Sequence, residues 1–166
     1  MSTSRLIPTL LLMIVTASGS CERSNTGAPV AEPAFRPDGS LTFRKLDGTV
    51  LTRIVIEIAD TQQAQATGLM GRRSLPDRGG MLFVNEVPRM QSFWMRSTPL
   101  PLDIIFIRAD STITNIVKRT TPLSDERIES TEEAQHVLEV RAGFTDRYGI
   151  DETVTISWER LDPSTS

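Results

Sequence analysis

A short stretch of this chain combines the side chains best suited to hold a small ligand. Trp94, Met95 and Arg96 precede a Pro99-Leu100-Pro101 turn, and the apolar run that follows contains one carboxylate, Asp103. An arginine fork binds carboxylates and phosphates, and a tryptophan ring can stack on a planar or sugar ligand. A buried carboxylate without partners is energetically costly, so Asp103 is either a satisfied structural acid or part of a site. We predict ligand contacts from Trp94, Arg96 and Asp103.

Two acids that interrupt apolar runs suggest an alternative chemistry. Asp103 and Glu139 could form a carboxylate pair, which is the arrangement that hydrolyses glycosides. Ion-paired structural acids are far more common than catalytic ones, and Glu139 could instead face solvent on an alternating strand. A carbohydrate-active hydrolase using these two acids is therefore the alternative to a noncatalytic binding role.

The methionines offer a third chemistry. Met70, Met81 and Met95 lie close together in the sequence, and thioethers are soft ligands suited to Cu(I). Methionine also fills apolar cores, and no Met-x-x-Met cluster or neighbouring histidine accompanies these residues. The single histidine, His136, has no partner at a triad or zinc spacing, so we interpret it as structural or surface. We expect no cofactor, and Cu(I) binding stays a second alternative.

Composition and charge limit the partners. The chain has 166 residues, of which 39% are apolar and 23% charged, which fits one globular domain with a tail. A formal net charge of −3 argues against nucleic acid as a partner, because a phosphate backbone requires a basic excess. After the N-terminus, no apolar run approaches the ~20 residues that span a membrane. We therefore expect membrane contact only through a lipid anchor.

The N-terminus has the pattern of an export signal. Arg5 precedes the apolar run of residues 6–17, and small residues then lead to the only cysteine, Cys21. This end resembles the lipobox of bacterial lipoproteins, although Ser18 and Ser20 depart from the usual residues. We predict a signal peptide over residues 1–21, lipidation of Cys21, and a periplasmic or outer-membrane-anchored lipoprotein. Conventional signal cleavage near the same point is the alternative.

The remaining chain divides into a tether, a domain and a tail. Residues 22–39 are rich in Ser, Gly, Ala and Pro and are predicted to form a flexible tether. The folded domain is predicted over residues 40–161, and residues 162–166 form a loose tail. Short strand candidates separated by turns dominate the domain. They predict a mainly β fold, a compact antiparallel β-barrel or sandwich-like domain with one or two short helices.

Three local predictions follow from the pattern. Asp47-Gly48 predicts a hairpin turn between two strands. Asp60 is the expected N-cap of a helix that continues to about Met70. A strand over Gln91–Arg96 would place Trp94 and Arg96 on one face and Met95 on the other.

Several short motifs follow one another along the domain: Gly68-Leu69-Met70, Arg73-Ser74-Leu75-Pro76, Gly79-Gly80-Met81-Leu82-Phe83, Ser92-Phe93-Trp94-Met95, Pro101-Leu102-Asp103-Ile104, Val137-Leu138-Glu139-Val140 and Ala142-Gly143. In this order they resemble the prokaryotic DUF192 family, over roughly Ile54 to Ile156. The resemblance implies a compact, mainly antiparallel β fold with a small helix, and no established activity or catalytic residues. Ser97 departs from the Asn that commonly follows the Trp-Met-basic triplet. We favour a noncatalytic envelope protein that binds an unknown small ligand or a partner protein at the Trp94–Asp103 corner.

Overall fold

Alternating apolar residues fold most of the chain into β-strands. The computed structural model describes residues 32–162. The predicted signal peptide with Cys21, the first part of the tether and residues 163–166 lie outside that range. Within it, nine strands and two short helices occur in this order: β1 (Gly39–Lys45), β2 (Val50–Ala59), α1 (Gln62–Thr67), β3 (Gly79–Arg89), β4 (Ser92–Phe93), β5 (Leu102–Ile107), β6 (Ile113–Val117), β7 (Ile128–Glu129), β8 (Ala134–Arg141), α2 (Phe144–Tyr148) and β9 (Val154–Arg160).

Seven of these strands form one curled half-barrel sheet in the order β6-β5-β8-β3-β2-β1-β9, while β4 and β7 pair separately. Neighbours in the large sheet are antiparallel except β2 and β3, which run parallel and are connected through α1. The sheet edges touch at a bridge between Thr112 and Thr155, beside which the Ile156 amide donates to the Ser111 carbonyl at 3.0 Å. The predicted fold class, mainly β and barrel-like with two short helices, is therefore confirmed.

Each face of the sheet carries an apolar core. The first core lies on the concave face, receives side chains from all seven strands, and includes Leu41, Ile56 and Leu138. The second core lies on the opposite face, where loop residues such as Met95 pack against β3, β5 and β8. Because successive strand residues point to opposite faces, Leu138 and Glu139 face different cores. Glu139 therefore lies on the second-core side of the sheet.

The predicted hairpin is confirmed, and the predicted helix is shifted and shorter. Gly48 adopts φ +86° in the turn between β1 and β2, a conformation that glycine reaches without strain. Helix α1 is capped by Thr61, whose side chain accepts from the Ala64 amide, so the prediction of Asp60 as N-cap was wrong. The helix ends before Gly68, at φ +47°, rather than near Met70. Neither helix within residues 32–162 is long and apolar enough to cross a membrane.

The strand predicted over Gln91–Arg96 is wrong except for the two residues of β4. The following backbone pairs with a distant loop instead: the Met95 amide donates to the Ser124 carbonyl at 3.0 Å, and the Leu123 amide to the Thr98 carbonyl at 3.1 Å. Ser97 lies at φ +57°, in the left-handed region, which is incompatible with a continuing strand. Residues 94–101 therefore form an irregular segment rather than a strand.

The described end of the predicted tether lies against the domain. The Glu32 carboxylate accepts from the backbone amides of Arg73 and Ser74, both at 2.8 Å. Phe35 packs against the second core, and the Arg36 amide donates to the Glu57 carboxylate at 2.6 Å. These contacts fasten residues 32–36 beside the loop that follows α1.

Candidate functional site

A pocket of about 230 Å³ opens on the second-core side of the sheet. One wall is the end of α1 and the residues after it, a second is β3, and the third is the irregular segment that begins at Gln91. Glu139 of β8 and Arg127, which precedes β7, complete the lining. Pockets for drug-sized ligands span roughly 300–1,000 Å³, so this one suits a smaller molecule.

Glu139 is a buried acid that has no partner in the described part of the chain. Its side chain is only 5% exposed, and among residues 32–162 nothing forms a hydrogen bond or ion pair with its carboxyl group. Its cross-strand neighbours are apolar: Met81 on β3 and Ile104 on β5. Burial raises the pKa of Glu139 to about 8, so the neutral carboxylic acid, a hydrogen-bond donor, prevails at pH 7.

A second acid on the same face of the sheet, Glu57, shows how a structural carboxylate finds hydrogen-bond partners in this fold. Glu57 on β2 lies opposite Met81, which in turn lies opposite Glu139. The Glu57 carboxylate accepts from one Arg72 guanidinium nitrogen at 2.8 and 2.7 Å, and both side chains are buried. Glu57 is therefore a paired structural acid, whereas Glu139 faces a pocket with its hydrogen-bonding capacity unused.

An aromatic ring with two guanidinium groups forms the rim of the pocket. Trp94 is 36% exposed, and the guanidinium carbons of Arg96 and Arg127 lie 4.5 and 4.9 Å from its ring centroid. Arg96 also donates to the Asp125 carboxylate at 2.6 Å. These cation–π contacts hold the indole in place and cover part of its ring. The rim thus presents a partly exposed indole in contact with positive charge.

The prediction that Trp94 and Arg96 face together, away from Met95, is confirmed, although the backbone there is not a strand. Both residues line the pocket, while Met95 is 1% exposed in the second core. The Thr120 hydroxyl lies 3.2 Å from the Met95 sulfur, within reach of a weak hydrogen bond. Met95 therefore anchors the wall from behind, and its neighbours point outward.

Asp103 does not join this site. Its carboxylate is fully buried at the other face of the sheet, where it accepts from the backbone amides of Arg119, Gly143 and Thr145 at 2.9–3.2 Å and from the Thr145 hydroxyl at 2.7 Å. Asp103 pairs in register with Val140, whereas Glu139 pairs with Ile104. Cross-strand partners share a face, so Asp103 and Glu139 point to opposite faces. The geometry brings neither the predicted binding trio nor the predicted carboxylate pair together.

The three candidate methionines do not line one pocket either. Met70 lines the pocket, whereas Met81 and Met95 belong to the second core. In the described part of the chain, no group of three or more His, Cys, Asp or Glu residues is placed to hold a metal ion. His136 is half-buried, contacts Trp158 edge-to-face at 5.9 Å, and lies away from the pocket. Burial lowers the pKa of His136.

Several pocket residues carry no recognisable signal in the sequence. Arg127 lies in a charged loop far along the chain from Trp94, and the pairing of β4 with β7 and the bond from the Met95 amide to the Ser124 carbonyl bring the two together. Asn85 and Gln91 are buried amides that also line the pocket. Their side chains donate to the carbonyls of Gln135 and Ala134, both at 2.9 Å, and thereby fix one wall.

Comparisons with known proteins agree with this fold. The family model DUF192, described as an uncharacterized ACR, matches residues 43–158. A crystal structure of a "putative transcription regulator" from Sinorhizobium meliloti 1021 is similar, with a TM-score of 0.71 and 30% identity over 76% of this chain and 97% of that chain. A protein of unknown function from Novosphingobium aromaticivorans DSM 12444 has a TM-score of 0.69 and 34% identity over 81% of this chain and 99% of that chain. No curated protein matches the chain. The family model covers well over half of the sequence, and the chain belongs to the DUF192 family.

Proposed function

We propose that this DUF192 domain is a noncatalytic binding module that holds a small ligand between Trp94 and Glu139. The observation that carries the proposal is Glu139: a carboxyl group 5% exposed, without a partner in residues 32–162, that lines a pocket. A hydrogen bond that replaces one to water contributes about 0.5–1.5 kcal/mol. A ligand that hydrogen-bonds Glu139 in the pocket would gain a contribution of this size.

The rim supplies the second contact. The guanidinium groups of Arg96 and Arg127 lie over the ring of Trp94, which stays 36% exposed, and a planar or sugar ring would contact the exposed part of the indole and the guanidinium planes. Arg96, predicted from the sequence as a ligand contact, keeps that role in the proposal. Asp103 is not part of it, because its carboxylate is already saturated on the opposite face.

Binding is favoured over hydrolysis for a geometric reason. Among the described residues that line the pocket, Glu139 is the only acid. Glycoside hydrolysis in its usual form needs a second carboxylate across the scissile bond. Copper binding is likewise not favoured, because two of the three candidate thioethers are packed in the second core.

For the whole protein we propose export and attachment to a membrane through lipidated Cys21. This part of the proposal rests on the sequence alone: Arg5, the apolar run of residues 6–17 and the single cysteine. The test is radiolabelled palmitate incorporation in a bacterial host, followed by membrane fractionation of the wild type and of Cys21→Ser. Label in the wild type and none in the variant are expected. An unlabelled wild type recovered in the soluble periplasmic fraction would favour conventional cleavage.

Binding is tested by thermal shift with a panel of small sugars, sugar acids, aromatic acids, nucleosides and Cu(I). A ligand present at about 100 times its Kd adds roughly 2.7 kcal/mol to the free energy of unfolding, a readily measured rise in Tm. The chain has two tryptophans, so Trp158→Phe leaves Trp94 as a fluorescent reporter in the rim. Fluorescence should change with the same compounds that raise the Tm.

A matched pair of arginines provides the control. Arg96→Gln should weaken binding, whereas Arg53→Gln should not, although each arginine is more than half exposed and pairs with an exposed acid. If no compound of any class changes either the Tm or the Trp94 fluorescence, the proposed small-ligand function is wrong. A protein partner would then be the better hypothesis.

A further inference from the structure

Two of the three arginines that line the pocket have no acidic partner among residues 32–162. Arg96 is neutralised by Asp125, but within residues 32–162 neither Arg89 nor Arg127 contacts a carboxylate. Arg89 donates to the Asn85 side-chain oxygen at 3.0 Å, and Arg127 to the Ser92 hydroxyl at 3.4 Å. Both guanidinium groups therefore keep most of their donors for a ligand.

The charge of the pocket is positive whichever form Glu139 takes. Counting only the described side chains that line it, Arg89, Arg96 and Arg127 face a single acid, Glu139. Asp125 offsets Arg96 from outside the lining. With Glu139 neutral, two unpaired guanidinium groups remain, and a guanidinium fork matches the geometry of carboxylate and phosphate oxygens.

We infer that the pocket selects a small organic anion, a carboxylate or a phosphate monoester on a compact flat body, and that Glu139 binds it as a hydrogen-bond donor. This inference rests on the proposed function and names its ligand class. The anionic group would bind Arg89 and Arg127, and the flat body would lie against Trp94 and the apolar wall that includes Phe83 and Phe93. The pocket volume of about 230 Å³ limits the body to about one ring with short substituents.

Glu139 then couples binding to pH. The neutral carboxylic acid of Glu139 can donate a hydrogen bond to an anion, whereas its ionised carboxylate repels the anion. The affinity of the pocket for an anion should therefore fall as Glu139 ionises. The charged groups that line the pocket with Glu139 are Arg89 on β3 and Arg96 and Arg127 on the loops. Glu57, in the same row on β2, is paired with Arg72, and β5 contributes only Ile104 because Asp103 faces the other side. With a pKa of about 8, the neutral fraction of Glu139 falls about tenfold between pH 7 and pH 9.

The test uses simple probes and their neutral counterparts. Benzoate, phenyl phosphate and glucuronate are titrated against the full chain carrying Trp158→Phe, with benzamide and methyl glucoside as uncharged controls. We expect the anions to bind at least about tenfold more tightly than the neutral compounds. Comparing benzoate and glucuronate with phenyl phosphate shows whether the pocket prefers a carboxylate or a phosphate group. Arg127→Gln should lower anion affinity by about tenfold, and the exposed Arg53→Gln should leave it unchanged.

The pH arm tests the role of Glu139. The ratio of affinities at pH 7 and pH 9 should be close to ten in the wild type and close to one in Glu139→Gln. Equal ratios in the two proteins would overturn the donor role. Binding of neutral compounds as tight as that of anions would overturn the ligand class while leaving the binding function intact. Failure of every compound to bind would overturn both.

Discussion

Replacing Glu139 by Gln is expected to change how the stability of this protein depends on pH. Burial raises the pKa of Glu139 from 4.5 to about 8. Between these values the folded protein keeps the proton and the unfolded chain releases it. The contribution of protonated Glu139 to the free energy of unfolding is therefore fully present below pH 4.5 and is lost as the pH rises toward about 8. Each pH unit in this window lowers the free energy of unfolding by about 1.4 kcal/mol, or about 5 kcal/mol across the window.

Urea unfolding of the wild type and Glu139→Gln at pH 5, 6, 7 and 8 measures this effect. The free energy of unfolding of the wild type minus that of the variant should fall by about 1.4 kcal/mol per pH unit. His136, whose pKa is lowered by burial, contributes the opposite slope, but the subtraction removes it. As a control, Glu129→Gln should give a curve parallel to that of the wild type, because Glu129 is exposed at the end of β7. If the pH dependence of the free energy of unfolding of Glu139→Gln also parallels that of the wild type within about 0.5 kcal/mol, Glu139 is not a neutral buried acid.

Three further substitutions test the structural assignments. Asp103→Asn should lower the free energy of unfolding by about 3 kcal/mol or more, because buried amide donors lose a charged acceptor; ligand-induced Tm shifts should stay unchanged, and a selective loss of ligand binding would contradict the structural role. Ser97→Asn should raise the urea midpoint by an amount equivalent to about 0.5 kcal/mol, since Asn adopts the left-handed region at φ +57° more readily than Ser. A lower midpoint would contradict the left-handed backbone conformation of residue 97. Arg72→Met should cost about 3–5 kcal/mol in urea unfolding because it leaves buried Glu57 unpaired, whereas Arg53→Met at the surface should cost about 1 kcal/mol or less; similar losses would show that burial of the first pair is unimportant.

The sequence predicts the fold well where local chemistry decides the backbone. Asp47-Gly48 specifies its hairpin because glycine reaches positive φ, and alternation in the first half of β2 assigns residues to faces. The parallel pairing of β2 with β3 could not be predicted in this way, because it depends on the return of the chain through α1. The helix is capped by Thr61 and not by Asp60. Both residue types are favoured at an N-cap, so the sequence does not decide between these neighbouring positions.

Only part of the candidate site could be predicted. Trp94 and Arg96 are predicted as ligand contacts from their chemistry, whereas Glu139 is predicted only as one acid of the alternative hydrolase pair. The sequence could not tell which of Asp103 and Glu139 is satisfied, because the donors to Asp103 come from residues up to 42 positions away. Arg127 reaches Trp94 only through tertiary contacts, so no local pattern could indicate it.

The position of β9 has a consequence for when the protein can fold. The last strand of the domain lies beside its first, with Leu41 opposite Trp158 and the Leu161 amide bonded to the Asp38 carbonyl at 2.9 Å. Strand β1 pairs early with β2 on one side, but its other edge has no partner until almost the whole chain has been synthesised, and the concave apolar face stays open in the meantime. Such long-range pairing slows folding and leaves a nascent chain without its native structure for longer. Deletion of β9 should accordingly abolish folding of the entire domain rather than trim one edge of it.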